Sequence, residues 1–372
     1  MTRTKPDAAP VAAPAFFLPK TRGSAAPAAP SPAMTALRHP QDVLFEEGDA
    51  VPQLPVCDHY CGVEVRMRKS LQLQAELGPV FDVTLDGEDG APVGGEVEHA
   101  HLIAELASSE LNAFGRVGAR VVPFDHPAFV PMLEVLLPKA GAQLAYLMIP
   151  KPRHFDDLKH AADTIDQLST QAGLQRAIPL HALVETHGAL RDVFQMAAHP
   201  RIESLSFGLM DFVSAHRGAI PQSAMGSQGQ FEHPLVLRAK LDIAAACHAE
   251  SKVPSHCVVT EFKDADALRA SAHRASRELG YTRMWSIHPD QIRPIVETFT
   301  PSADEIHQAL EIILAAQAAD WAPIRHTHQG RVQLHDRASY RYFWQVLQSA
   351  HRTLAPAQQP TELVSFFTSH QD

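Results

Sequence analysis

Two acidic residues, Glu185 and Asp211, close consecutive apolar runs, Pro179 to Thr186 and Ile202 to Asp211. Each run has the make-up of a buried parallel strand, and each carboxylate stands where such a strand reaches its C-terminal mouth. On neighbouring strands the two would converge, and two hard oxygen donors suit a Mg²⁺ completed by waters and an anionic ligand. The plainer alternative, a helix N-cap or a solvated loop residue, stays open for either position taken alone.

The surrounding pattern supplies elements that could bring them together. Between residues 55 and 290, short apolar runs alternate with longer segments of helical spacing. The expected strands are His59 to Val65, Val80 to Leu85, Gly118 to Phe124, Leu144 to Ile149, Leu180 to Glu185, Ile202 to Phe207, His256 to Thr260 and Met284 to His288. Helices are expected at Phe155 to Ser169, Leu190 to Ala198, Pro234 to Ala249 and Ala265 to Leu279, the last stopped by Gly280. Strands alternating with helices predict an α/β chain folded as a (β/α)8 barrel, whose active sites lie at the C-terminal strand ends. A doubly wound open sheet fits less well, because no Gly-x-Gly-x-x-Gly follows the first strand. Pro301 to Glu305 resembles a helix start, with a helix to about Ala319, a loop with Gly330 and a helix from Arg337 to Leu354. Residues 34–320 would then form the barrel, and 321–372 a C-terminal helical extension able to pack on a neighbouring subunit.

Composition narrows the classes. A net charge of −10 leaves no basic footprint for nucleic acid. No apolar run is long enough to span a bilayer. Cys57, Cys61, Cys247 and Cys257 offer one close pair, better read as buried free thiols in a reducing cytoplasm than as a metal site. His326 and His328 sit in a polar connection and read as solvated rather than zinc-bound. Residues 1–33, dominated by Ala and Pro, cannot bury a core and read as a disordered tail without the apolar core of a secretory signal. Met34 is an alternative start.

Five collinear segments resemble the citrate lyase β-subunit-like family, which includes the malyl-coenzyme A and β-methylmalyl-coenzyme A lyases. Leu85 to Pro92 looks like the family's Asp-Leu-Glu-Asp-x-Val-x-Pro, Ile149-Pro150-Lys151 like Leu-Pro-Lys, Leu183 to Thr186 like Ile-Glu-Thr, and Gly208 to Asp211 like Gly-x-x-Asp. Ser286 to Ile292 and Phe299 to Ser302 resemble Ile-His-Pro-x-Gln-Ile and Phe-Thr-Pro-Ser. The first strand departs from the family's Arg-Ser and Pro-Gly pattern, reading Pro55-Val-Cys-Asp-His-Tyr-Cys-Gly62.

The resemblance implies Mg²⁺ held by Glu185 and Asp211, and a substrate carboxylate gripped by Arg120, although Val122 replaces the asparagine of the family's Arg-x-Asn. It implies an acidic cluster of Asp86, Glu88 and Asp89 beside the metal, joined to it through water or orienting Arg120, with Lys151 in support. Arg66, Arg68 and Lys69 fall where the family binds coenzyme A phosphates, though a solvated helix face explains them as well. Asp336 is the nearest match to an aspartate donated to a neighbour's site; an N-cap explains it too. The implied activity is a Mg²⁺-dependent carbon–carbon lyase converting a malyl-, citramalyl- or citryl-like β-hydroxyacyl thioester into an acyl-coenzyme A and a 2-oxo acid, in a cytoplasmic homotrimer or hexamer. A thioesterase on the same scaffold, a non-catalytic binding relative and an aldolase acting on free acids are the alternatives.

Overall fold

The computed structural model describes residues 38–46 and 51–368. The Ala/Pro-rich tail and Met34 lie outside the described residues. Eight strands form a closed barrel in sequence order: β1 Cys57–Cys61, β2 Phe81–Asp86, β3 Val117–Arg120, β4 Leu147–Ile149, β5 Leu180–Val184, β6 Ile202–Phe207, β7 Val253–His256 and β8 Arg283–Ser286. Every neighbouring pair is parallel, and Cys57 opposite Met284 closes the ring. Helices cover the outside, so the strands are buried on both faces and read as apolar runs rather than alternating ones.

The sequence places β6 and the helix Pro234–Ala249 at their observed limits. Other boundaries move. β1 ends at Cys61 instead of reaching Val65, because Glu64 already opens the helix Glu64–Leu77. β7 lies earlier than His256 to Thr260, since apolar Val259 is buried in the following loop, where its carbonyl accepts from Gln291 Nε2 at 2.8 Å. The helical pattern Leu190 to Ala198 falls in two helices, His187–Arg191 and Val193–Ala198, broken at Asp192, whose carboxylate accepts from Phe155 N–H at 3.0 Å. The four cysteines are free and buried, as expected.

Strand parity sorts the barrel interior into tiers. Near the strand starts, Arg283 Nη1 donates to Asp82 Oδ2 at 2.6 Å, and its Nη2 lies 3.2 Å from Asp58 Oδ2. Thr84 and Tyr146 donate to Asp58 Oδ1 at 2.6 and 3.0 Å. Above this charged base Tyr60, Met148, Leu183 and Trp285 form an apolar tier, with Tyr60 stacked on Trp285 at 5.1 Å between centroids. The third tier, at the C-terminal mouth, carries Asp86, Arg120 and Glu185.

Beyond the barrel, the helix Ala303–Ala318 starts with a Ser302–Glu305 capping box and packs on Arg337–Thr353 around Trp344, Tyr340 and Leu347. The segment expected to be a loop is a hairpin, β9 Ile324–His328 and β10 Arg331–His335. Its two turn residues, Gln329 and Gly330, both have positive φ, as a tight two-residue hairpin turn requires. His326 and His328 are not free in solvent: they face Glu311 and Asp304 at 3.2 Å each.

Candidate active site

β5 and β6 are neighbours, as the convergence of Glu185 and Asp211 requires. Glu185 follows the last residue of β5 and is 3% exposed. Asp211 lies in the first turn of the short helix Leu209–Ser214, after β6 and Gly208. That glycine has a steric reason: a Cβ at position 208 would stand 2.2 Å from Glu185 Oε2. Gly208→Ala is therefore expected to displace the Glu185 carboxylate and weaken Mg²⁺ binding by about tenfold or more, with secondary structure retained. Calorimetric titration with Mg²⁺ and circular dichroism of the variant check this.

β2, β3 and β4 bring the remaining charged groups to the same mouth. Arg120, the last residue of β3, is 5% exposed. Its Nε and Nη2 donate to the two oxygens of Asp86 at 2.7 and 2.8 Å, Nη1 lies 2.7 Å from Glu88 Oε2, and Nη2 donates to Asp89 Oδ2 at 3.0 Å. Beneath the guanidinium is the ring of Tyr60, 4.5 Å from Cζ to centroid. The loop that carries Glu88 and Asp89 is fixed by a backbone crossing: a Cβ on Gly62 or on Gly90 would lie 2.3 Å from the other's Cα. Lys151, two residues beyond β4, has φ of 51°, unusual for a residue with a side chain. This conformation turns its N–H to Glu185 Oε1 at 2.8 Å while Nζ reaches Glu88 at 2.7 Å and stands 3.8 Å from Asp89 and Asp211.

Five carboxylates thus face two cations. Burial, with the fields of Asp211 and Glu88, pushes the Glu185 carboxyl up to about 8. Burial pushes Asp86 and Glu88 up to about 7 and pulls Arg120 down to about 10, still a cation at neutral pH. Burial also works against the Lys151 ammonium, but contact with Glu88 and the surrounding carboxylates outweigh it and raise its pKa. Among the described residues no Lys, Arg or His lies in ion-pair range of Glu185, and no three His, Cys, Asp or Glu side chains form a closed metal cage. Two adjacent carboxylates short of positive charge fit Mg²⁺, which keeps waters and takes few protein ligands.

Protonation then opposes metal binding. Below about pH 8 Glu185 holds a proton that a Mg²⁺ bound there would have to displace, so Mg²⁺ affinity would rise with pH toward 8 and binding would release protons near neutrality. Without metal the sign for stability is opposite. The carboxyl ionises near its ordinary value when unfolded but only near 8 when folded, so its contribution is lost as pH rises between those values. Calorimetry in buffers of different ionisation enthalpy measures the proton release.

Not every expected site residue is gathered here. Arg68 spends its charge on Glu64 at 2.9 Å and Glu105 at 3.2 Å, the solvated-face arrangement. Arg66 and Lys69 are exposed on the same helix. Asp336 caps Arg337–Thr353, accepting from Ala338 and Ser339 N–H at 3.1 and 3.4 Å, and bonds to none of the mouth residues within its own chain. The sequence reading passed over Tyr60. The signal was there: two residues beyond Asp58 on β1, it shares that residue's inward face.

The pattern of the HpcH/HpaI aldolase/citrate lyase family matches residues 80–289, from just before β2 to Pro289, the first residue of the helix after β8. The chain belongs to the HpcH/HpaI aldolase/citrate lyase family. Within it, a citrate lyase of Burkholderia xenovorans LB400 of known crystal structure is 51% identical, with a TM-score of 0.75 over 89% of this chain and 99% of that one. An L-malyl-CoA/β-methylmalyl-CoA lyase of Cereibacter sphaeroides is 27% identical over 253 residues, 64% of this chain and 77% of the relative. The Mycobacterium tuberculosis protein CitE, solved with magnesium, acetoacetate and coenzyme A, shares the fold at 19% identity and a TM-score of 0.59, covering 82% of this chain and 99% of that one.

Proposed function

We propose that this family member is a Mg²⁺-dependent carbon–carbon lyase acting on a β-hydroxyacyl-coenzyme A thioester of the malyl, citramalyl or citryl kind, in equilibrium with an acyl-coenzyme A and a 2-oxo acid. The observation that carries it is the convergence of Glu185 and Asp211, which follow the adjacent strands β5 and β6, beside the Arg120 and Lys151 cations. The Cereibacter lyases and the magnesium and coenzyme A held by CitE support the same substrate class.

Glu185 and Asp211 would hold the Mg²⁺, which supplies Lewis-acid polarisation of the hydroxy-acid oxygen when bound. Arg120 anchors the substrate carboxylate, as a planar cation does best. Asp86 and Glu88 fix the guanidinium, and Lys151 balances the charge of Glu88 and orients Glu185 through its N–H. In the cleavage direction the hydroxyl loses its proton, the bond between Cα and Cβ breaks, and its electron pair passes to the acyl unit, whose α-carbon then takes a proton. Asp336, from a neighbouring subunit, is the acid assigned to these transfers, and Asp89 lines the same site 3.0 Å from Arg120. Arg66 and Lys69 receive the coenzyme A phosphates. Arg68 supports that helix face through Glu64 and Glu105. The four buried thiols fit a cytoplasmic enzyme.

A screen of acyl-coenzyme A thioesters with Mg²⁺, following free thiol and keto acid together, tests the activity. Keto acid without free thiol is the expected result. Free thiol without keto acid would replace the lyase by a thioesterase.

The shared site requires a homotrimer or a dimer of trimers and makes its own prediction. Asp336→Asn and Asp211→Asn subunits, each inactive alone, should regain some activity in mixed oligomers, where an intact metal site meets an intact Asp336. No recovery in verified mixed oligomers would remove the shared site.

A further inference from the structure

Arg120 offers five N–H bonds in a single plane, and its partners are unequally held. Asp86 takes two of them in a bidentate pair and is itself fixed by the Glu88 N–H at 3.0 Å. Glu88 Oε2 stands 2.7 Å from Nη1 as an ion pair without accepting a hydrogen bond from it, and its other oxygen is pinned by Lys151 Nζ at 2.7 Å. Both of these carboxylates are deeply buried. Asp89 differs: its side chain is 63% exposed, it makes one contact of 3.0 Å with Nη2, and Lys151 is a distant 3.8 Å away. Tyr60 covers one face of the guanidinium and is itself stacked on Trp285, so the plane cannot tip toward the barrel interior.

A second bidentate carboxylate at Arg120 needs protons from both Nη atoms, because Asp86 already holds the Nε side. The Nη2 proton required is the one given to Asp89. We propose that Asp89 is a displaceable occupant of the end of Arg120 that a substrate carboxylate uses, and that its departure tunes the affinity for the 2-oxo acid. The exchange replaces one anion by another on the same buried cation, so Arg120 is never left unpaired, and Asp89, 63% exposed, moves into water. This rests on the reading of Arg120 as the carboxylate anchor and gives Asp89 its role within it: a positioning and specificity group rather than a proton carrier.

The test is the affinity of oxamate, a 2-oxo acid isostere, for the Mg²⁺-loaded full chain, measured by calorimetry in wild type, Asp89→Asn, Arg120→Lys and the double variant. Asp89→Asn should bind oxamate about fivefold tighter, and the gain should vanish in the Arg120→Lys background. A gain of equal size without Arg120, or no gain, overturns the proposal. So does an unchanged affinity with a collapsed kcat, which would make Asp89 a proton-transfer group. If Arg120→Lys does not fold, the gain in Asp89→Asn is measured at about 1 M salt, where the Debye length of about 3 Å removes a general field effect but not a released contact. Loss of the gain there overturns the proposal as well. Arg120→Lys binding oxamate as tightly as wild type would refute the anchor itself, a separate failure.

Discussion

Glu185→Gln and Asp211→Asn are each expected to lower turnover at least about a hundredfold at limiting Mg²⁺, since Lewis-acid stabilisation is worth several kcal/mol. The substitutions keep size and remove charge. Glu185→Gln should not harm the fold, because the wild-type carboxyl, pushed up to about 8, already holds its proton at neutral pH without metal. Asp211 is half-exposed and its nearest cation is 3.8 Å away. The expected signature is therefore lost Mg²⁺ affinity with an unchanged or higher melting temperature in metal-free buffer. Mg²⁺ titrations of activity and of thermal unfolding measure both, and near-normal turnover in the two variants at low Mg²⁺ would sink the metal assignment.

Arg120→Lys carries the second large effect. Lysine keeps one positive charge but cannot serve Asp86 in a bidentate pair, Glu88 and an incoming carboxylate together, because its donors radiate from one point. A fall of about a hundredfold or more in kcat/KM is expected, spread over both constants. The structure adds a cost that the sequence did not foretell. Arg120 neutralises a buried cluster, so the variant should also lose stability, by roughly 1–3 kcal/mol for weakened charge-assisted hydrogen bonds. Steady-state kinetics beside urea denaturation separate the two losses. A variant that unfolds more easily but turns over normally would leave Arg120 a purely structural cation.

How much of this was legible beforehand depended on how local the physics is. Eight strands, their order and the position of Glu185 followed from apolar runs and breakers, which act over a few residues. The ends of β1, β3 and β7 did not. Val63 and Val259 are as apolar as any strand residue, yet one caps the helix Glu64–Leu77 and the other is buried in a loop, while Val121 beyond β3 still donates to the Met148 carbonyl at 3.1 Å. The hairpin at Gln329-Gly330 was missed because only one of its strands alternates: β10 puts Val332 and Leu334 on one face, both exposed rather than packed on a core, while β9 carries a single apolar residue, Ile324. In the site, a family pattern could name Arg120 and Asp86, but a bidentate contact between residues on adjacent strands is a fact of register. Tyr60 lay hidden in the first strand, the segment that departs from that pattern. Asp336 remains the clearest case of two readings in one residue: its N-cap is visible in one chain, while a role in a neighbour's site needs the assembly.

The charged base of the barrel has an evolutionary corollary. Arg283, Asp58 and Asp82 are buried near the strand starts, where removing one partner strands a charge at about 3–5 kcal/mol, while Glu185, Arg120 and Asp211 sit at the opposite end on strand termini and loops. Drift at the base is purged through folding and drift at the mouth through catalysis, so the two ends answer to different selection. A lineage that trades one substrate for another then changes exposed side chains at the mouth, outside the close crossing of Gly62 and Gly90, and leaves the charged base in place.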